Sequence, residues 1–237
     1  MVCLSVSDEA WKSLKPGIKT RRTRVYPVSE SSGVKPARVA RTERRAMLID
    51  AARDVFVAYG YHQASMDEIA ERAGVSKPVL YQHFADGKRS LYIALVEMTG
   101  QELLDRLQLA LASTTDNRQR VSATITAYFD FIEDADAAYR LVFESDLSND
   151  PEVREKIEFF EDECAVLVSQ VIAEDTGVGA EEAMMLAMGL TGLAETAARR
   201  WIREGSRVPK RSAINLVSRL AWRGISGVPR LLNPETD

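Results

Sequence analysis

Apolar residues recur at helical spacing along most of the chain, and strand-like alternation is scarcely visible anywhere. Leu48, Ala51, Ala52, Val55, Phe56 and Tyr59 form one stripe. That stripe predicts a helix from just after Thr42, placed to cap it, to about Tyr59, where Gly60 stops it. Met66, Ile69, Ala70 and Ala73 share one face of a short helix, with Ser65 as N-cap and Glu68 completing a capping box. Gly74 can end this helix in the left-handed conformation. Ser76 then caps a second helix, and Pro78 sits in its first turn, where a missing N–H costs nothing. Because so few residues lie between these two helices, they must cross sharply.

A long helix follows from about Arg89 to Leu111, with Leu91, Leu95, Met98, Leu103, Leu107 and Leu111 roughly in phase. Thr114 to Asn117 is a loop, and helical patterns then occupy about 119–134, 137–145, 151–174, 180–204 and 210–226. Pro151, Gly177, Gly179, Gly205 and Pro209 punctuate them. The pattern predicts an all-α protein with a small helical head and a larger helical body. Residues 1–38 mix Ser, Pro, Gly, Lys and Arg without periodicity and read as a disordered basic tail. The run from Lys19 to Arg24 reads as solvated, with phosphate contact as the alternative.

Composition sharpens this picture. Apolar content of 46% over 237 residues suffices for a sizeable core. Cys3 and Cys164 lie far apart, one in the polar tail and one in an apolar helix, which argues against a disulfide framework and for a reducing cytoplasm. No apolar run approaches the roughly 20 residues a membrane span needs, and no signal peptide is readable. Residues 1–45 carry eleven Lys or Arg against four Asp or Glu, so the remainder holds −11 of the total −4. A basic end suits contact with nucleic acid, and an acidic body should face away from it.

Machinery for catalysis is thin. His62 and His83 are too few for a histidine-rich metal site, and no Gly-rich phosphate loop or nucleophile elbow occurs. The acidic run Glu158, Glu161, Asp162 and Glu163 reads as a solvated helix face. No catalytic residue, metal or cofactor is expected.

The segment from Ser65 to Phe84 has the layout of a helix-turn-helix, whose second helix enters the DNA major groove. Lys77, Pro78 and Val79 open that helix and point at base edges, where Lys77 can donate to guanine and Pro78 or Val79 can touch a thymine methyl. Gln82 can read adenine, while Leu80 reads as core. The segment resembles the DNA-binding module of the tetracycline-repressor (TetR) family of bacterial regulators. The likeness rests on Ile69-Ala70, Ala73-Gly74-Val75-Ser76, Tyr81 and His83-Phe84, with Ala51-Ala52, Val55-Phe56 and Tyr59-Gly60-Tyr61 upstream. It covers roughly residues 42–96. It implies phosphate contacts from Tyr81, His83, Ser65 and a lysine opening the next helix, for which Lys88 is the candidate. Thr42 and Ser76 also belong to the expected DNA-binding set, and Arg44 and Arg45 can reach phosphate or the minor groove. One departure stands out: three residues, Ala85, Asp86 and Gly87, precede Lys88 where the family usually has two, and Arg89 is the alternative grip.

The resemblance divides the chain into the tail over 1–38, a DNA-binding domain over 39–88 and a ligand-binding and dimerisation domain over 89–232. It implies a pocket in the body, for which Tyr128, Phe131, Phe143, Phe160, Cys164, Met184 and Met188 are the candidates, since aromatics and methionines suit a pliable apolar site. It also implies a homodimer through the last two helices. There Leu190, Leu193, Ala197 and Trp201, then Ile214, Leu216, Val217, Leu220 and Ala221 form apolar stripes beside the small residues Gly189, Gly192, Ala194 and Ala198. The expected function is that of a cytoplasmic, homodimeric transcriptional repressor that binds a near-palindromic duplex operator and is released by a small apolar or amphipathic effector. The competing reading is a helical enzyme, or an adaptor whose head has lost DNA binding; salt-dependent binding to DNA separates them.

Overall fold

A computed structural model describes residues 41–143, 147, 150–203 and 207–224; the expected tail, Cys3 and the last residues of the body lie outside these. The described residues form eight helices and no strand. They are α1 (Arg41–Gln63), α2 (Met66–Ala73), α3 (Lys77–His83), α4 (Lys88–Ala112), α5 (Asn117–Phe143), α6 (Pro151–Thr176), α7 (Ala180–Arg203) and α8 (Lys210–Arg223).

Local sequence explains most boundaries. The Ser65–Glu68 capping box is complete: the Glu68 N–H donates to Ser65 Oγ at 3.2 Å, and the Ser65 N–H donates to Glu68 Oε2 at 2.9 Å. Gly74 closes α2 with φ 64°. Gly60 kinks α1 (φ 76°, ψ 159°) rather than ending it, and three more residues continue the helix. Arg41 is already helical, so Thr42 lies within α1 and does not cap it. Ser76 occupies the N-cap position of α3, but its side chain makes no capping bond. The two helices expected over 119–134 and 137–145 are one, α5, because the polar stretch between them contains alanines and no glycine or proline.

Packing ties the head to the body through α4. Leu48, Phe56, Ile69, Leu80 and Phe84 of α1 to α3 share a buried cluster with Leu91, Tyr92 and Leu95 of α4, and Val142 and Val153 close it from the body side. Tyr92 stacks edge-on to Phe56 and Tyr61, with centroids 6.0 and 5.3 Å away, and donates its hydroxyl to the Leu141 carbonyl at 2.6 Å. Further along, Leu103, Leu104 and Leu107 enter a second cluster with Tyr128, Phe131, Phe160 and the small residues Ala194 and Ala198 of α7. A movement of α4 in the body is therefore a movement within the core of the head.

Candidate nucleic-acid interface and ligand cavity

The recognition helix α3 keeps Leu80 fully buried and turns Ser76, Lys77, Pro78, Tyr81 and Gln82 outward, with Val79 and His83 half-buried. Lys77 forms an exposed ion pair with Asp67, Nζ to Oδ1 2.8 Å, which raises its pKa through the hydrogen bond. An exposed pair of this kind is weak, so the lysine can exchange Asp67 for a base at little cost. Arg45 lies over the Phe84 ring, 4.5 Å from its centroid, and so is held at the head surface. The imidazole of His83 is pushed down by burial and then by Arg41, Arg44 and Arg45. The basic start of α1 and the end of α3 thus converge on one electropositive patch.

Two expected phosphate contacts are otherwise engaged. Ser65 Oγ donates to Glu68 Oε2 at 2.8 Å within its capping box. Lys88 Nζ donates to the carbonyls of His62 (3.1 Å) and Ala64 (3.0 Å) and sits 4.6 Å from the Tyr61 ring centroid, stapling α4 to the end of α1. Arg89 is bound too, to Asp150 at 2.9 Å and to Glu152. The turn into α4 ends at Gly87, whose φ 67° and ψ −135° suit glycine alone, and whose N–H donates to the Phe84 carbonyl at 3.0 Å.

In the body, Gly100 and Leu103 of α4, Tyr128, Phe131, Tyr139 and Phe143 of α5, Phe160, Glu161 and Cys164 of α6, and Glu195 of α7 enclose one cavity. Five of the seven expected ligand residues meet there: Tyr128, Phe131, Phe143, Phe160 and Cys164. The other two do not. Met184 packs, half-buried, against the cluster around Val168 and Ala187, and Met188 is 55% exposed on the outer side of α7. The free volume is about 20 Å³, room for one water and no more.

The walls are aromatic, with a polar end. Tyr139 donates to Glu195 Oε1 at 2.6 Å, and Arg199 approaches the same oxygen at 3.6 Å. Burial pushes the Cys164 thiol up to about 12, so it remains protonated and behaves as a small apolar group. Burial, then neighbouring Glu195, raises the Glu161 carboxyl as well. Glu161 is solvent-accessible, as the acidic-face reading has it, but also borders the cavity. Gly100, Leu103, Tyr139, Glu161 and Glu195 were not among the expected pocket residues. Tyr139 alone carried a readable signal, an aromatic one turn from Phe143.

The stripes of α7 and α8 divide between two environments. Ala194, Ala198 and Ala213 are buried within the subunit, and Ala197, Trp201, Ile214, Val217 and Ala221 pack against the same cluster. Gly189 and Gly192 face outward with open space where a Cβ would stand, and Met185, Leu186, Met188 and Leu216 are also exposed. Val217 is therefore half-buried against the subunit's own core, and Leu216 is exposed. Among the described residues no helix is long and apolar enough to cross a membrane, and no cluster of His, Cys, Asp or Glu suits a metal.

Comparison with known proteins agrees with this architecture. Residues 48–95 match the family model described as bacterial regulatory proteins, tetR family. The chain is 44% identical over 192 residues to the HTH-type transcriptional activator FasR of Mycolicibacterium smegmatis, covering 81% of this chain and 87% of that one. A TetR-like transcriptional regulator from Rhodococcus sp. RHA1 superposes with TM-score 0.61 at 26% identity, over 80% of this chain and all of that one. FadR from Bacillus subtilis, solved in complex with stearoyl-CoA, has the same fold, with TM-score 0.63 at 21% identity over 76% of this chain and 98% of that one.

Proposed function

The chain belongs to the tetR family of bacterial regulatory proteins and is a transcriptional regulator, and from that premise we propose that it binds a near-palindromic operator as a cytoplasmic homodimer, under the control of an apolar effector held in its body. Residues 39–88 are the DNA-binding domain in this reading, and 89–232 the ligand-binding and dimerisation domain. The observation that carries it is the exposed tip of α3, with Lys77, Pro78, Tyr81 and Gln82 free of the core and flanked by Arg41, Arg44 and Arg45. Lys77, Pro78, Val79 and Gln82 read bases; Arg44, Arg45, Ser76, Tyr81 and His83 hold phosphates.

Lys77→Ala is expected to relax base preference at one operator position by about 1–3 kcal/mol, and Tyr81→Phe to weaken all sequences evenly. Affinities of both variants for a panel of operator mutants check this. An unchanged preference in Lys77→Ala removes that lysine from base readout.

Protonation supplies a second check. His83 is held below its ordinary range in the free protein. A phosphate beside it favours the imidazolium, so binding takes up a proton. Operator affinity should rise as pH falls through the histidine range, between about pH 8 and pH 5. His83→Gln should flatten that slope; a slope that survives the substitution belongs to another group.

The effector reading rests on five aromatic walls, a protonated thiol and a cavity with no spare room. A ligand that enters must part α4 from α6, and α4 carries Tyr92 and Leu95 into the head. A long acyl chain suits such walls, and the fold shared with a stearoyl-CoA complex makes stearoyl-CoA the first probe. It should change operator affinity, and operator DNA should change its affinity by the same factor. Because the 44% identical relative is an activator, activation is favoured over the repression that family resemblance alone implies; a promoter–reporter fusion with and without the protein decides the sign. A catalytic role has no support in the site.

A further inference from the structure

Ion pairs bridge α4 and α6 along one seam, between the aromatic cavity and the head. Arg89, in the first turn of α4, donates to Asp150 at 2.9 Å and also pairs with Glu152. Further along α4, Glu97 meets Lys156 at 2.9 Å. One turn beyond Glu97, Gly100 lies against the Phe160 ring. Positions 89, 97 and 100 thus meet 150, 156 and 160 in the same order, and the two helices run side by side in one direction. The seam touches the cavity at one end and the head at the other. Phe160 is a cavity wall and stands one turn from Lys156 on α6. Arg89 follows Lys88, whose ammonium is held by the carbonyls of His62 and Ala64 at the end of α1. The Asp150 carboxylate also accepts from the N–H groups of Glu152 and Val153, and so caps α6 at the point where Arg89 grips it.

Gly100 and Phe160 meet with no room for an added atom, and the cavity holds no more than a water. An occupant must therefore displace Phe160, and the stretch of α6 that moves with it carries Lys156. Ion pairs respond sharply to such a movement. Separation admits water between the charges, and the attraction falls toward its small value in bulk solvent. These pairs are partly exposed and individually weak. That strength suits a reversible device, because coupling between two sites commonly amounts to about 5–150-fold in affinity. We propose that Arg89 with Asp150 and Glu152, and Glu97 with Lys156, form an electrostatic latch. It closes α6 onto α4 while the cavity is empty and opens when the cavity fills, which frees the first turn of α4 and with it the head. The latch rests on the effector reading of the cavity and adds what sets its threshold: a ligand binds more weakly by the fraction of molecules already in the open state.

The test uses the full-length protein with charges changed on the α6 side, so that the phosphate contact expected of Arg89 does not enter. Lys156→Glu should tighten stearoyl-CoA binding by about twofold to fivefold, measured by calorimetry, since opening no longer breaks a pair. Without ligand, it should shift operator affinity in the direction in which stearoyl-CoA shifts that of the native protein. Glu97→Lys/Lys156→Glu should return both values to native. Asp150→Asn should act as Lys156→Glu does, because asparagine caps a helix as well as aspartate. A seam with a merely structural role would lower the unfolding temperature without tightening the ligand. A ligand-free cycle tests the latch separately. Gly100→Ala forces α4 from α6, and Arg89 lies about 16 Å from it along α4. Sites so far apart add unless one conformational change joins them. The double variant with Arg89→Gln should therefore lose less unfolding temperature than the two single losses combined, by at least about 2 °C. Strict additivity overturns the latch, as does unchanged or weaker stearoyl-CoA binding by Lys156→Glu where the native protein binds it. Failure of stearoyl-CoA to bind the native protein counts against the effector reading alone, and the cycle then decides the latch.

Discussion

Met188→Arg or Leu216→Arg is expected to give a folded protein that sediments as a monomer and binds operator DNA at least roughly a hundredfold more weakly. The weakening follows from avidity: a dimer's second head binds at the effective concentration set by the first, a gain of about 10²–10⁴ that a lone head forfeits. The substitutions act on the outer side of α7 and α8, where Met185, Met188, Leu216 and the bare backbone of Gly189 and Gly192 form an unshielded apolar surface. An arginine buried there without a partner costs several kcal/mol. Val217→Arg is the control. Val217 packs inside its own subunit against the cluster holding Ala194 and Ala198, so it should lower the unfolding temperature instead. Sedimentation at micromolar concentration, beside thermal unfolding, separates these outcomes. A Leu216→Arg protein that remained dimeric would place the interface elsewhere.

Gly100→Ala should destabilise the protein by about 1–3 kcal/mol and blunt its response to effector. A Cβ at Gly100 would overlap the Phe160 ring, which has no free end to swing aside. Either the ring moves into the cavity it lines or α4 and α6 separate. Phe160→Ala alone should cost about 3–5 kcal/mol through lost burial. Combined, the two should fall short of their sum, because the alanine side chain fills part of the space that the ring vacates; contacting residues couple by about 0.5–3 kcal/mol. Urea unfolding of the two single variants and the double supplies the cycle. Strict additivity would mean that α4 and α6 do not meet tightly at this point, and would remove the proposed route from cavity to head.

The head was legible because its determinants are local. Ser65 and Glu68 cap each other across three residues, Gly74 ends α2, and Leu80 is the one buried residue of α3. The surroundings of Lys88 were not legible, because only the folded structure reveals the carbonyls of His62 and Ala64 that accept from its ammonium. The cavity was half legible. Aromatic residues on α5 and α6 announce an apolar interior, yet Gly100 and Glu195 belong to it only because four helices converge, which no spacing within one helix reports. The two sides of the α8 stripe were not told apart for a simpler reason. Leu216 and Val217 are adjacent, so helical geometry sends them about 100° apart, and the apolar character that groups them is blind to which faces the subunit's own core.

Selection of bound sequences from a random duplex library by the full-length protein tests the central claim most directly. The account predicts enrichment of a near two-fold symmetric motif, its half-site centres separated by one helical turn or a multiple of it, about 34–36 Å per turn. It also predicts that Lys77→Ala loses preference at matching positions in both halves while the spacing stays. Absence of any enriched motif, or an asymmetric motif indifferent to substitution of Lys77 and Gln82, would contradict it.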